Sequence, residues 1–362
     1  VASRPSVAPD AIDALIAQAV EGGRAALARL LSEIERGGET AERIDAVLSR
    51  RPASSPTSTS TPACTPACTI GITGAPGAGK STLLGALLAH LGDRGERVAA
   101  LMVDPSSPLT GGALLGDRLR MSAVAARPGV YARSMASRGR SGGLSDMTRR
   151  AVRVLGACGW STVFIETVGI GQLDVDVSTV ADLVVVVLTP GAGDDVQMFK
   201  AGLMEIADVF VINKADHPQV GALRQDLAGM IASIPDGRPR PAVVETIATQ
   251  GVGVTALWDA LAHALSDRVR SGELSRVRAH RVAREIVDVA SGIMTRRLRE
   301  RSTGTLMERL MLDVIEGRQA VGEAAVHLLS TCGVDVTGTG AATDDTTGAA
   351  TGPASAHAKG TE

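Results

Sequence analysis

The stretch "GITGAPGAGKSTLLGALL" occupies residues 71–88. Within it, Gly74-Ala75-Pro76-Gly77-Ala78-Gly79-Lys80-Ser81-Thr82 is a complete phosphate-loop pattern, preceded by an apolar run and followed by an amphipathic helical one. The glycines let successive backbone N–H groups wrap a phosphate, and the N-terminus of the following helix adds positive potential. Lys80 is then expected to reach the β- and γ-phosphates, with the Ser81 hydroxyl on Mg²⁺.

Outward from this loop, short apolar runs alternate with helical patterns from residue 68 to about 265. The spacing predicts strands at 68–73, 98–103, 129–133, 162–166, 183–188, 209–213 and 242–247. Several are unbroken apolar runs, such as "LVVVVL" at 183–188, the pattern of a strand covered on both faces. Alternation of this kind predicts an α/β fold, a P-loop NTPase with a mostly parallel central sheet flanked by N- and C-terminal helical segments. The expected organisation is a helical segment at 1–50, a flexible linker at 51–67 and the nucleotide domain at 68–266. A helical extension at 267–332 and a Gly/Thr/Ala-rich tail at 333–362, expected to be disordered, complete it.

Composition narrows the function classes. The chain has 362 residues, a formal net charge of −2, and six aromatic residues (two Trp, one Tyr, three Phe). No basic field or stacking platform points to nucleic acid, and no apolar run approaches the roughly 20 residues that span a bilayer. The N-terminal residues lack the pattern of a secretory signal, so a cytoplasmic location is expected. Four cysteines, two of them in the Pro/Ser/Thr stretch, do not make a disulfide framework, and the six scattered histidines form no ligand-spaced pair.

Lysine usage is a second signal. Only four of 37 basic residues are lysine: Lys80, Lys200, Lys214 and Lys359. In so arginine-rich a background, a retained lysine is a candidate for a position where a compact ammonium is needed and a planar guanidinium will not serve, whereas Lys359, in the tail, reads as drift. Lys80 fits the phosphate loop. Lys214 lies in "VFVINKADHP" (209–218), an apolar strand ending in Asn213-Lys214-Ala215-Asp216. A carboxylate at Asp216 accepts two hydrogen bonds from guanine N1–H and the exocyclic amine, which adenine cannot supply. Asn213 is expected to read the base edge and brace the loop, Lys214 to lie along the purine plane, and the Ala248 N–H to touch guanine O6.

"VFIETVGIGQLDVD" (163–176) places Glu166 at the end of an apolar strand. Burying that carboxylate costs several kcal/mol, about 2–7 on transfer scales for an uncompensated polar group and more for a charge, unless something positive meets it. Mg²⁺ on the nucleotide supplies that charge. Asp104, which ends "RVAALMVD", and Asp117, in "PSSPLTGGALLGD", are two further candidate acids; Asp117 also reads as a plain helix N-cap. Gln172 follows Gly169 at the wrong offset for the water-positioning glutamine of small GTPases.

Together these residues resemble the MeaB/ArgK family of GTPases associated with methylmalonyl-CoA mutase. The resemblance rests on "GAPGAGKST", "VDPSSPLTGGALLGDRLRM", "SGGLSDMTRRA", "FIETVGIGQ", "GAGDDVQMFKAGLMEIADVFVINKAD" and "LWDAL", spread over roughly residues 70 to 265. It implies the SIMIBI class of dimeric G domains, which includes signal-recognition and metallochaperone GTPases. It also implies GTP/GDP and Mg²⁺ as cofactors, and a homodimer that serves a cobalamin-dependent mutase and its adenosyltransferase. Carried onto this chain, it assigns Ser81, Asp104, Asp117 and Glu166 to the metal and Asn213, Lys214 and Asp216 to guanine, with Gly169 beside the phosphates. Segments 104–117, 167–178 and 190–200 would be switches, and Arg120 and Lys200, with Lys80, would be the cations that meet transition-state charge. Competing readings are a transport-associated protein kinase, for which no catalytic-loop pattern is found, and a nickel metallochaperone, for which no His-rich tract or Cys-His pair is found. A signal-recognition-type targeting GTPase would need a Met-rich helical domain.

Overall fold

A computed structural model describes residues 9–50, 67–104, 124–136, 143–167, 177–191, 202–235, 239–301 and 305–333. Seven parallel strands form one sheet: β1 (Cys68–Gly74), β2 (Val98–Asp104), β3 (Val130–Ala136), β4 (Thr162–Thr167), β5 (Leu183–Leu188), β6 (Val209–Asn213) and β7 (Ala242–Thr246). Their spatial order is β3-β2-β4-β1-β5-β6-β7. These are the seven strands expected from the sequence; the largest difference is at β3, which runs on to Ala136. β1, central in the sheet, pairs with β4 and β5, so the loop that leaves it opens at the carboxyl edge where a parallel sheet binds ligands.

Both faces are covered, as the apolar runs require. Val185 and Val187 of β5 join Ile70, Ile72 and Val211 in one core with α4 (Lys80–Asp93). Leu83, Leu84, Leu87, Leu88 and Leu91 of that helix are fully buried there. On the opposite face Val184, Val186 and Leu188 pack in a core that also takes in the N-terminal helices α1 (Pro9–Val20), α2 (Arg24–Arg36) and α3 (Glu39–Ser49). Leu30, Leu31 and Ile44 are fully buried. Arg133 on β3 fastens α2 to the sheet, donating to Ala28 O at 2.8 Å, Ser32 Oγ at 3.0 Å and Glu35 Oε2 at 3.0 Å. The N-terminal helices are thus part of the nucleotide domain's core. They pack against α5 (Gly143–Ala157), which covers the same face.

The remaining helices are α6 (Leu203–Ile206), α7 (Val220–Ala232), α8 (Val254–Arg270), α9 (Glu273–Arg301), α10 (Thr305–Ile315) and α11 (Val321–Thr331). One compact unit runs to Glu285, beyond the expected boundary at 266, and a second begins at Ile286 within α9. The extra length is held by ion pairs. Asp182, 2% exposed just before β5, accepts from Thr69 N at 3.0 Å and pairs with Arg278 at 2.5 Å and Arg281 at 3.0 Å. Burial works against its charge, but the hydrogen bond and charge of Arg278, the Thr69 N–H and Arg281 hold its pKa below the usual carboxylate value. Glu285 at the end of the unit pairs with Arg153 at 2.7 Å, which also holds Asp45 of α3 at 2.6 Å. Among the described residues no helix is long and apolar enough to cross a membrane. The linker and tail expected at 51–67 and 333–362 lie outside the described residues except for Ala67 and Gly333.

Candidate functional site

The phosphate loop bridges the end of β1 and the start of α4, and its glycines have distinct reasons. Gly74 has φ 139°, and a Cβ there would stand 2.2 Å from Val187 O of β5. Gly79 caps α4 at φ 91°, and a Cβ there would stand 2.3 Å from Asn213 Nδ2. Gly77, at φ 79°, meets nothing; only its backbone conformation calls for glycine. Lys80 is 6% exposed, and its ammonium donates to Gly74 O at 2.7 Å and Ala75 O at 3.0 Å. The cation is held directly beneath the loop, so little reorganisation separates it from a phosphate seated above.

Ser81, in the first turn of α4, donates from Oγ to Glu166 Oε1 at 2.6 Å. The register places them together: β4 neighbours β1, with Ile72 opposite Glu166, and the carboxylate is 6% exposed. Beside them Thr167 Oγ1 and Thr73 Oγ1 are 3.2 Å apart. On the other side of β4, Met102 pairs with Glu166, and β2 ends two residues later at Asp104, opposite Ala136. The ends of β1, β4 and β2 are therefore successive neighbours at one edge of the sheet. A hydroxyl and a carboxylate this close form a hard-oxygen donor pair of the kind Mg²⁺ prefers, so the residues present fit that ion. Among the described residues no cluster of three or more His, Cys, Asp or Glu could hold a metal by itself.

The base side is built on Asn213, at the end of β6 and 2% exposed. Its Nδ2 donates to Ala78 O at 2.9 Å, and its Oδ1 accepts from Thr246 Oγ1 at 3.1 Å and Ala248 N at 3.2 Å. These contacts bear on two expectations. Asn213 is chiefly a brace, with at most one Nδ2 proton left over for a base. The Ala248 N–H, expected at guanine O6, is directed instead to Asn213 Oδ1. Thr246, fully buried, escaped the sequence reading; its only signal was its place just before Ile247-Ala248 in the loop after β7. Lys214 is the one non-glycine residue with positive φ among those described, at 57°, and its Nζ reaches Gly77 O at 3.0 Å. The strained backbone turns its side chain back onto the phosphate loop. Asp216 and Thr82 are exposed, and Pro76 and Gly77 face solvent at the loop's crest. Arg120, Asp117, Gly169, Gln172 and Lys200 lie outside the described residues.

A parallel sheet in this order, with a glycine-rich loop between its central strand and a helix and an Asn-Lys-x-Asp end to a neighbouring strand, defines a P-loop GTPase. Residues 42–303 match the family model described as methylmalonyl Co-A mutase-associated GTPase MeaB, and the chain belongs to that family. A Pyrococcus abyssi relative whose name marks it as a GTPase is 44% identical over 78% of this chain and 85% of its own length. The mouse (Mus musculus) protein named methylmalonic aciduria type A homolog, mitochondrial, is 32% identical over 74% of this chain and 66% of its own. A solved structure described as a LAO/AO transport system kinase superposes with TM-score 0.62, covering 91% of this chain and all of its own, at 22% identity, a likeness of fold alone.

Proposed function

We propose that this GTPase is a chaperone for a cobalamin-dependent acyl-CoA mutase, methylmalonyl-CoA mutase first among them. It would gate adenosylcobalamin loading from the adenosyltransferase and the reactivation of the inactivated enzyme. In this reading it works as a homodimer in the cytoplasm. The family's description and the name of the mouse relative support the partner.

At the site, Lys80, held by the Gly74 and Ala75 carbonyls, meets the β- and γ-phosphates. Ser81 and Glu166, with Asp104 and Asp117, hold Mg²⁺, which when bound neutralises charge developing on the phosphate oxygens. Gly74 to Thr82 and Gly169 surround the phosphates, and Arg120 and Lys200 are the further cations for the transition state. Asp216 reads guanine, Lys214 lies along the purine, and Asn213 with Ala248 keeps the base loop in register with the phosphate loop.

The observation that supports this reading at the site is the 2.6 Å contact between Ser81 and Glu166, a hydroxyl and a carboxylate brought together in the first turn of the helix behind the glycine-rich loop. The test is GTP turnover with Mg²⁺, with and without purified methylmalonyl-CoA mutase, and with ATP as control. Stimulation by the mutase and negligible ATP turnover are expected. GTP turnover indifferent to every cobalamin mutase tried would remove the partner, and equal use of ATP would remove the guanine site.

A further inference from the structure

Thr73 and Thr167 are buried side by side, 0% and 2% exposed, with their hydroxyls 3.2 Å apart. Thr73 precedes Gly74 at the end of β1, and Thr167 ends β4 directly after Glu166. The register sets them in one row across the sheet, with Val103 of β2 opposite Thr167 and Val186 of β5 opposite Thr73. Both valines are buried in the core shared with the N-terminal helices.

Valine has the shape of threonine, so packing in this row asks for two more valines, yet two hydroxyls stand there. Burying a hydroxyl costs free energy that one neutral hydrogen bond little more than offsets, and replacing both partners by apolar groups of the same shape is nearly neutral. The pair therefore adds little to stability. What it adds is direction. A hydrogen bond fixes the separation and orientation of two strand ends, which contact between methyl groups leaves looser.

The neighbouring residue is the one that needs a fixed place. Strand alternation turns Glu166 to the opposite face, toward α4, where it accepts from Ser81 at 2.6 Å. The strand end that carries the carboxylate is thus tied on both faces at successive residues. Mg²⁺ takes oxygen ligands at about 2.0–2.1 Å in near-ideal octahedral geometry, so a carboxylate that serves it has little room to wander.

We infer that Thr73 and Thr167 are a positioning pair for Glu166. Their hydrogen bond fixes the end of β4 against β1 and so keeps the carboxylate aimed at the metal beside the phosphate loop. The inference rests on Glu166 as a metal ligand, and Glu166→Gln tests that reading separately.

The experiment is calorimetric titration of the full chain with a non-hydrolysable GTP analogue, in Mg²⁺ and in excess EDTA. The proteins are wild type, Glu166→Gln, Thr167→Val, Thr167→Ser and the double variant Thr73→Val/Thr167→Val. The readout is the Mg²⁺ advantage, the affinity in Mg²⁺ divided by that in EDTA. Thr167→Val is expected to lose about 10-fold of this ratio, the lower end for disturbing a group that orients a metal ligand. Its affinity in EDTA, and the ratio in Thr167→Ser, which keeps the hydroxyl, should stay within about two-fold of wild type, less than the loss of one net hydrogen bond. The double variant should lose no more than Thr167→Val, because two hydroxyls that act on each other are not additive, and it carries the same expectation should Thr167→Val fold poorly. A wild-type ratio in Thr167→Val, an equal loss in Thr167→Ser, or a further loss in the double variant would each overturn the inference. So would a fall in EDTA affinity as large as that in Mg²⁺, which marks damage to the phosphate loop itself. A ratio unshifted in Glu166→Gln would refute the metal reading, and the inference with it.

Discussion

Ser81 Oγ and Glu166 Oε1, 85 residues apart in sequence, are 2.6 Å apart in the fold. The contact joins the first turn of the helix behind the phosphate loop to the end of a neighbouring strand. It gives the carboxylate buried at that strand end a hydrogen-bond donor in place. Replacing Ser81 by Ala, or Glu166 by Gln, is therefore expected to raise the Mg²⁺ concentration for half-maximal GTP turnover by about 10- to 100-fold, the range for disturbing a metal's coordination. A magnesium titration of steady-state hydrolysis measures this, and an unshifted midpoint in both variants would contradict it.

Gly74 is fixed by two independent constraints, its φ of 139° and the Val187 carbonyl 2.2 Å from where a Cβ would stand. Gly74→Ala should destabilise the protein by about 2 kcal/mol or more through backbone strain and displacement of β5. Gly77→Ala carries only the conformational cost of about 1 kcal/mol, because nothing crowds that position. Denaturant midpoints of the two variants should keep that order.

Asn213 and Asp216 sit three residues apart but should fail differently. Asn213→Ala breaks a buried network of three hydrogen bonds and is expected to cost about 2–3 kcal/mol of stability and to weaken every nucleotide alike. Asp216→Ala, at an exposed position, should leave stability within about 0.5 kcal/mol. Its preference for GTP over ATP should fall by about 10² or more, since the discriminating hydrogen bonds are gone. Competition binding alongside thermal unfolding separates the two.

Asp182 ties the start of β5 to α9. Its folded pKa lies below 3.8 despite burial, because of Arg278, Thr69 and Arg281. A carboxylate whose pKa is lowered on folding stabilises the protein fully above its unfolded value and loses that contribution as pH falls through the folded value. Stability should thus decline on acidification below about pH 4, near the unfolded pKa of an aspartate. Asp182→Asn should remove about 3 kcal/mol at neutral pH, the cost of breaking a buried pair, and flatten that acid decline. Unfolding midpoints between pH 2 and 7 would show both effects, and an unchanged acid limb in the variant would exclude this group as its source.

Leu30 tests whether the N-terminal helices are integral to the domain. It is fully buried in the core shared with the sheet. Leu30→Ala should cost about 2–5 kcal/mol, as large-to-small changes in a continuous core do, and should lower nucleotide binding only through that loss of stability. A neutral effect on unfolding would mean that the helices do not support the sheet.

Much of the site was legible because its chemistry is local. Gly74 to Ser81 must lie between a strand and a helix to work, and Asn213 to Asp216 end a strand whose apolar run is plain. What the sequence leaves unseen at Asn213 has a physical cause. The sequence shows an amide near a base-reading acid, but not that Ala78, Thr246 and Ala248 will converge on it and occupy three of its hydrogen-bonding positions.

The amino-acid sequence alone determined the parallel α/β class, the phosphate loop and the strand ends that carry acids, because glycine conformation and apolar periodicity act within a few residues. The tertiary structure alone decided that three N-terminal helices complete the core, that α9 is bound by buried ion pairs out to Glu285, and which polar atoms meet around the loop. These are contacts between residues about a hundred positions apart, and their geometry is set by sheet order and register, which no local pattern encodes.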